Sequence, residues 1–244
     1  MSTENKLIRG FTEPESERIG TSLSKLVEHL TPDRFVIVGG LAIRYHLQQA
    51  EIPYPPRPFN DLDILAESFD VVHPDIKNDF LVYHVHQRKD SFYFAFVDEE
   101  SRTKVDIFDY EKPPGRTLEI PIGNGTVRIV SVEDQLSTTV YDLQRISEKA
   151  KVDPKQFLDA TLLSQIADME VADTEWKRRR TREHPESIVD AIQRAEEIRR
   201  EHPEWTQQSP FKKPKPYQCP DCIQSEQFPL DSMGKIYEIL GIVE

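Results

Sequence analysis

Cysteine is nearly absent from the chain: of 244 residues only Cys219 and Cys222 carry a thiol. A disulfide-stapled scaffold is therefore excluded as the organising principle. Long apolar runs are missing too. No stretch approaches the 18 or so consecutive apolar residues of a membrane helix, and Met1 to Asn5 offers no apolar segment of the kind a secretory leader carries. These absences lead us to expect a soluble protein of the cytoplasm, with no membrane partner. Excess positive charge is lacking as well, since the net charge is -12. A protein that coats nucleic acid by its overall field is thereby disfavoured, although an enzyme acting on nucleic acid needs only a local basic patch.

The chain does have regular apolar segments and 37% hydrophobic residues, enough for a buried core at this length. Its most informative stretch begins at Phe35-Val36-Ile37-Val38, a short β-branched run suited to a buried strand. Gly39-Gly40 follows, and then the helix-forming segment Leu41 to Gln49. The glycine pair thus sits at a strand-to-helix turn, where the backbone can be approached closely and the helix start favours an anion such as phosphate.

Asp61 and Asp63 stand two apart in Asp-Leu-Asp-Ile-Leu. On a strand both carboxylates share one face while Leu62 and Ile64 point to the core. A hard divalent cation with oxygen ligands would relieve the repulsion between them. Asp106 has the same setting between Val105 and Ile107, and a hairpin of Ser91 to Val97 with Thr103 to Asp109 can carry it to the first pair.

These residues resemble the nucleotidyltransferase superfamily of the DNA polymerase β-like fold, over about residues 25 to 165. The Gly-Gly-Leu-Ala start, Arg57 ahead of the acid pair and the helical segment beyond are most similar to the AbiEii-type toxins of bacterial toxin–antitoxin pairs. The resemblance implies an α+β fold: a nucleotidyltransferase-like mixed sheet with flanking helices, followed by a small helical region. It implies that Gly39 and Gly40 cradle the phosphates of a nucleoside triphosphate and that Arg57 clamps them. Asp61, Asp63 and Asp106 would be the catalytic acids and would hold Mg2+, with two ions expected. Nucleotidyl transfer to a hydroxyl follows, on RNA ends or on protein hydroxyls, with a tRNA 3′ end the preferred acceptor and an antitoxin protein as partner.

Two positions depart from that pattern. Phe59 stands where the family has a small hydroxyl residue, and Thr139 where it has a lysine facing the nucleotide. Lys104 and Arg145 are the candidate replacements. A catalytically decayed binding module is accordingly the alternative reading, and a transferase acting on a small cationic molecule such as an aminoglycoside is a third.

The rest of the chain is read from spacing. Leu23, Leu26, Val27 and Leu30 predict a helix over 20–30, and residues 118–122 and 127–130 a hairpin around Gly123-Asn124-Gly125. Ser131 with Asp134 predicts a capped helix to about 147, followed by helices over 154–167 and 187–200. We divide the chain into a catalytic core (1–130), a helical region (131–201) and a tail (202–244) with a Pro/Lys-rich linker. Cys219-Pro-Asp-Cys222 is half of a zinc ribbon by spacing, with His184 and His202, or the same pair from a second chain, as the further ligands for Zn2+; reduced, unligated thiols are the other reading. Lys177 to Arg182 and Phe211 to Tyr217 are the two local basic runs, read either as nucleic-acid contacts or as a solvated helix face and a linker.

Overall fold

The structure is a computed structural model that describes residues 13–55, 59, 61–87, 91–110, 113–122, 125–145, 154–206 and 227–241. Arg57, Cys219, Cys222 and the basic run 211–217 lie outside the described residues.

A seven-stranded mixed sheet forms the frame: β1 (Phe35–Val38), β2 (Asp61–Ala66), β3 (Phe80–Gln87), β4 (Phe92–Asp98), β5 (Thr103–Asp109), β6 (Thr117–Ile122) and β7 (Gly125–Val130). Their order is β3-β4-β5-β2-β1-β7-β6. Neighbours run antiparallel except for β2 with β5 and β1 with β7, which are parallel. The fold class is α+β.

Helix α1 (Glu13–Glu28) begins earlier than its apolar spacing alone predicts and buries Ile19, Leu23 and Leu26 completely. Those side chains join Leu62, Ile64, Val105, Ile107, Phe94 and Phe96 in the main core. Helix α2 (Gly39–Gln49) belongs to two cores at once. Leu41, Ala42 and Tyr45 pack with the sheet, while Ile43 and Leu47 pack with the helical region. Such a shared helix ties the strand-to-helix turn to the core of the helical region.

The helical region comprises α3 (Val132–Gln144), α4 (Pro154–Leu163), α5 (Met169–Arg179) and α6 (Ile188–Glu201). Its core is built from Leu136, Val140, Phe157, Leu163, Trp176 and Ile188. Ser131 caps α3 as predicted, accepting from the Asp134 N–H at 3.3 Å. The reciprocal half of the capping box is not made. The Ser131 N–H donates to the Arg116 carbonyl, and the Asp134 carboxylate instead accepts from the Gly115 and Arg116 N–H groups at 2.8 and 2.9 Å. Arg178 and Arg179 face the same fully buried carboxylate at 3.7 and 3.3 Å. Part of the basic run 177–182 therefore serves packing between α5, α3 and the approach to β6.

The short helix α7 (Met233–Ile239) docks on the sheet, with Ile236 against Leu81 and Val97. Just before it, Phe228 is buried in the main core against Phe69 and Phe94, and Asp231 bonds both ways with the backbone of Val82 on edge strand β3. The unpaired edge of β3 is thereby partly covered.

Candidate metal and nucleotide site

Strand alternation settles the first half of the site. Leu62 and Ile64 are wholly buried, and Asp61 and Asp63 project from the opposite face of β2 with partial exposure. The parallel register with β5 then sets Asp106 directly beside Asp63. Each of the three acids offers an oxygen, and these oxygens lie within 4.8 Å of one another. Among the described residues this is the one cluster of His, Cys, Asp and Glu side chains with metal-ligating geometry.

The electrostatics match. Burial raises Asp63, with the Asp61 and Asp106 charges adding to the effect and Lys155 and Lys104 opposing it, and the result is a carboxyl pushed up to about 7. Asp106 is held at both oxygens: the Tyr93 hydroxyl donates to Oδ1 at 2.6 Å and the Lys104 ammonium to Oδ2 at 2.7 Å. Burial and then the neighbouring Asp106 charge raise Tyr93, so its hydroxyl stays protonated as a donor. All ligands in the cluster are carboxylate oxygens, and the repulsion that lifts Asp63 is what a divalent cation removes. The residues fit Mg2+, which is commonly held by one or two carboxylates together with substrate phosphates.

Gly39 is fitted against this cluster. Its φ of +66° lies in the left-handed region, and a Cβ built there would come within 2.1 Å of Asp63 Oδ2. Glycine is needed for both reasons. Its N–H donates to Gln135 Oε1 at 2.9 Å, so one amide of the turn is already engaged by α3. Gly40 packs on the Phe59 ring.

A cleft of about 460 Å3 opens here, lined by Gly39, Asp63, Phe108, Gln135, Thr139 and Arg179 among others. That is ample for a nucleotide.

The two departures find physical explanations. Phe59 is a buried core residue: the Arg18 guanidinium donates to its carbonyl, Arg44 lies over its ring at 5.6 Å, and its N–H reaches Glu15 at 3.3 Å. Thr139 stands on the cleft wall, with its hydroxyl turned back to the Gln135 carbonyl at 2.9 Å. Of the candidate replacement cations, Lys104 is in the site through Asp106, and Arg145 is not among the cleft-lining residues. Sequence reasoning missed Lys155, on the first turn of α4, whose charge acts on Asp63, and Gln135. Both depend on how the helical region packs, and no local signal announces them.

Comparison with known proteins adds little. No family model matches the chain, and no curated protein matches it. Among solved structures, an antigenic nucleotidyltransferase-like protein from Paracoccidioides brasiliensis aligns at 12% identity and a TM-score of 0.39, over 78% of this chain and 91% of that one. JHP933 from Helicobacter pylori aligns at 13% identity and a TM-score of 0.34, over 80% of this chain and 95% of that one. Matches this loose carry no weight, and the function has to be read from the acidic row itself.

Proposed function

We propose that the protein is a nucleotidyltransferase that uses Mg2+ to transfer a nucleotidyl group from a nucleoside triphosphate to a hydroxyl. One observation carries this: Asp63 and Asp106 in register on adjacent strands, with Asp61 beside them, beneath a turn whose glycine permits close approach. The acceptor oxygen bonds to the α-phosphorus as the bond to pyrophosphate breaks, and the acceptor proton passes to a carboxylate of the cluster or to water. Asp61, Asp63 and Asp106 would hold the cations, which supply charge neutralisation at the phosphates. Gly39 and Gly40 admit the phosphates, and Lys104 fixes Asp106 while Lys155 offsets negative charge near Asp63. Arg57 remains the candidate clamp.

Within that class, the AbiEii-type resemblance supports an RNA acceptor, a tRNA 3′ end in particular, an antitoxin partner and a cytoplasmic setting. Among the described residues no helix is long and apolar enough to cross a membrane. Incubation of the protein with each labelled nucleoside triphosphate, Mg2+ and total RNA or protein tests the proposal. Labelled product that disappears with Asp63→Asn is the expected result. The absence of transfer with every nucleotide and both acceptor classes would overturn it.

Thr139 in place of a cation on the cleft wall favours a second reading, a decayed scaffold that binds a partner without turnover. The two separate on calorimetric titration with ATP and Mg2+, since the decayed scaffold shows no metal-dependent binding.

A further inference from the structure

Beside the acids, the same sheet face carries a band of rings. Phe108 on β5 pairs in register with Tyr93 on β4, and Tyr93 pairs with His86 on β3. Phe108 and Tyr93 stack at 5.1 Å and 30°, Tyr93 lies 5.3 Å from His84, and His84 stacks with His86 at 6.4 Å and 11°. His84 itself stands in the next register row, which reads His84, Ala95, Asp106, Asp63 across four strands. The band therefore runs alongside the acids from the lip of the cleft to the edge strand.

Three features separate it from ordinary cross-strand packing. Phe108, a large apolar ring, keeps 38% of its surface exposed. The Tyr93 hydroxyl is bonded to Asp106, so the ring surface and the acid cluster are one rigid unit. Burial, then His86 and Lys104, hold His84 below the usual imidazole range, so it offers a neutral ring at neutral pH. Flat rings, three of them with polar edges, recognise stacked bases and sugar hydroxyls.

We propose that Phe108, Tyr93, His84 and His86 form the acceptor platform, on which the 3′-terminal bases of single-stranded RNA stack so that the terminal ribose hydroxyl meets Asp106. The assignment rests on the transferase reading for its purpose, but binding to the platform does not require turnover. The donor nucleotide occupies the cleft on the Gly39 side of Asp63, and the acceptor arrives from the β3–β4 side. The two substrates thus flank the acids.

A 12-residue oligouridylate RNA ending in 2-aminopurine tests this with the full chain. Stacking quenches the probe, and the wild-type protein is expected to quench it on binding. Phe108→Leu and His84→Leu each weaken that binding by about tenfold, the loss of one stacked base. Phe108→Tyr retains it, which guards against a folding defect. Binding of ATP with Mg2+ to the wild-type protein is measured in parallel. Absence of quenching, quenching indifferent to Phe108→Leu and His84→Leu, or equal binding of the DNA counterpart overturns the platform, whatever the ATP result. Quenching without ATP binding upholds the platform and overturns the transferase.

Discussion

Asp63 occupies the space where a side chain on Gly39 would stand: a single methyl group on Gly39 would overlap Asp63 Oδ2 at 2.1 Å. The turn that would admit a phosphate and the acid that would hold its cation are thus one fitted piece. Gly39→Ala must both strain a backbone at φ +66° and displace Asp63. We expect a loss of about 1–3 kcal/mol in stability and of metal binding together. Gly40→Ala, whose added methyl would meet only the Phe59 ring at 3.4 Å, is expected to retain both. Urea denaturation and Mn2+ titration of the two variants check the contrast.

Asp63 gives a pH signature. Its folded value of about 7 lies above the ordinary 3.8, so between these values the folded state keeps a proton that the unfolded chain releases. Stability associated with this group is full at low pH, falls as pH rises, and is lost above about 7. Asp63→Asn removes the dependence. The variant is expected to gain on the order of 2 kcal/mol over wild type between pH 4.5 and pH 8, read by denaturant unfolding at each pH without divalent cations. Wild type should recover the difference at pH 8 when Mg2+ is added, because the cation takes the place of the proton.

Lys104 bonds Asp106 at 2.7 Å and would compete with a bound cation for that carboxylate. Lys104→Met removes one positive charge from beside the site. Mn2+ affinity is expected to rise by about fivefold, in line with roughly 1 kcal/mol for a charge a few ångströms away in a partly solvated setting. Transfer should nonetheless slow, since Asp106 loses a group that fixes its orientation. Electron paramagnetic resonance of free Mn2+ and the labelled-transfer assay read the two effects separately.

Asp134 holds the helical region to the sheet. It is fully buried, accepts two backbone N–H groups and faces Arg178 and Arg179. Close by, a Cβ on Gly115 would meet the Glu175 carboxylate, the movable end of that side chain. Asp134→Ala leaves two amides and two guanidinium groups without their shared acceptor. A destabilisation of about 3 kcal/mol is expected in thermal or denaturant unfolding.

Much of this was legible from the chain because the signals are local. The two-residue spacing of Asp61 and Asp63 fixes their shared face by strand geometry alone, and Ser131 announces the helix that it caps. The β4–β5 hairpin was readable from its polar turn, and with it the means of carrying Asp106 inward. The neighbour relation of Asp106 to Asp63 was only an expectation, since it depends on the parallel register of β2 with β5, which no short-range pattern encodes. Strand β3 escaped notice because its apolar residues are interrupted by Tyr83, His84 and His86, which the bulge at Val82/His84 turns toward the site face. Gln135 and Lys155 reach the site through helix packing, a matter of tertiary structure. Phe59 reads as a lost polar contact in the sequence and proves to be part of the core.

The most direct test of the three-acid centre is Mn2+ binding in the presence of a non-hydrolysable ATP analogue, measured on wild type and on Asp61→Asn, Asp63→Asn and Asp106→Asn. Saturable binding by wild type, weakened at least tenfold by each substitution while the fold is kept, is the expected result. Absence of binding by wild type, or binding indifferent to all three substitutions, would contradict it.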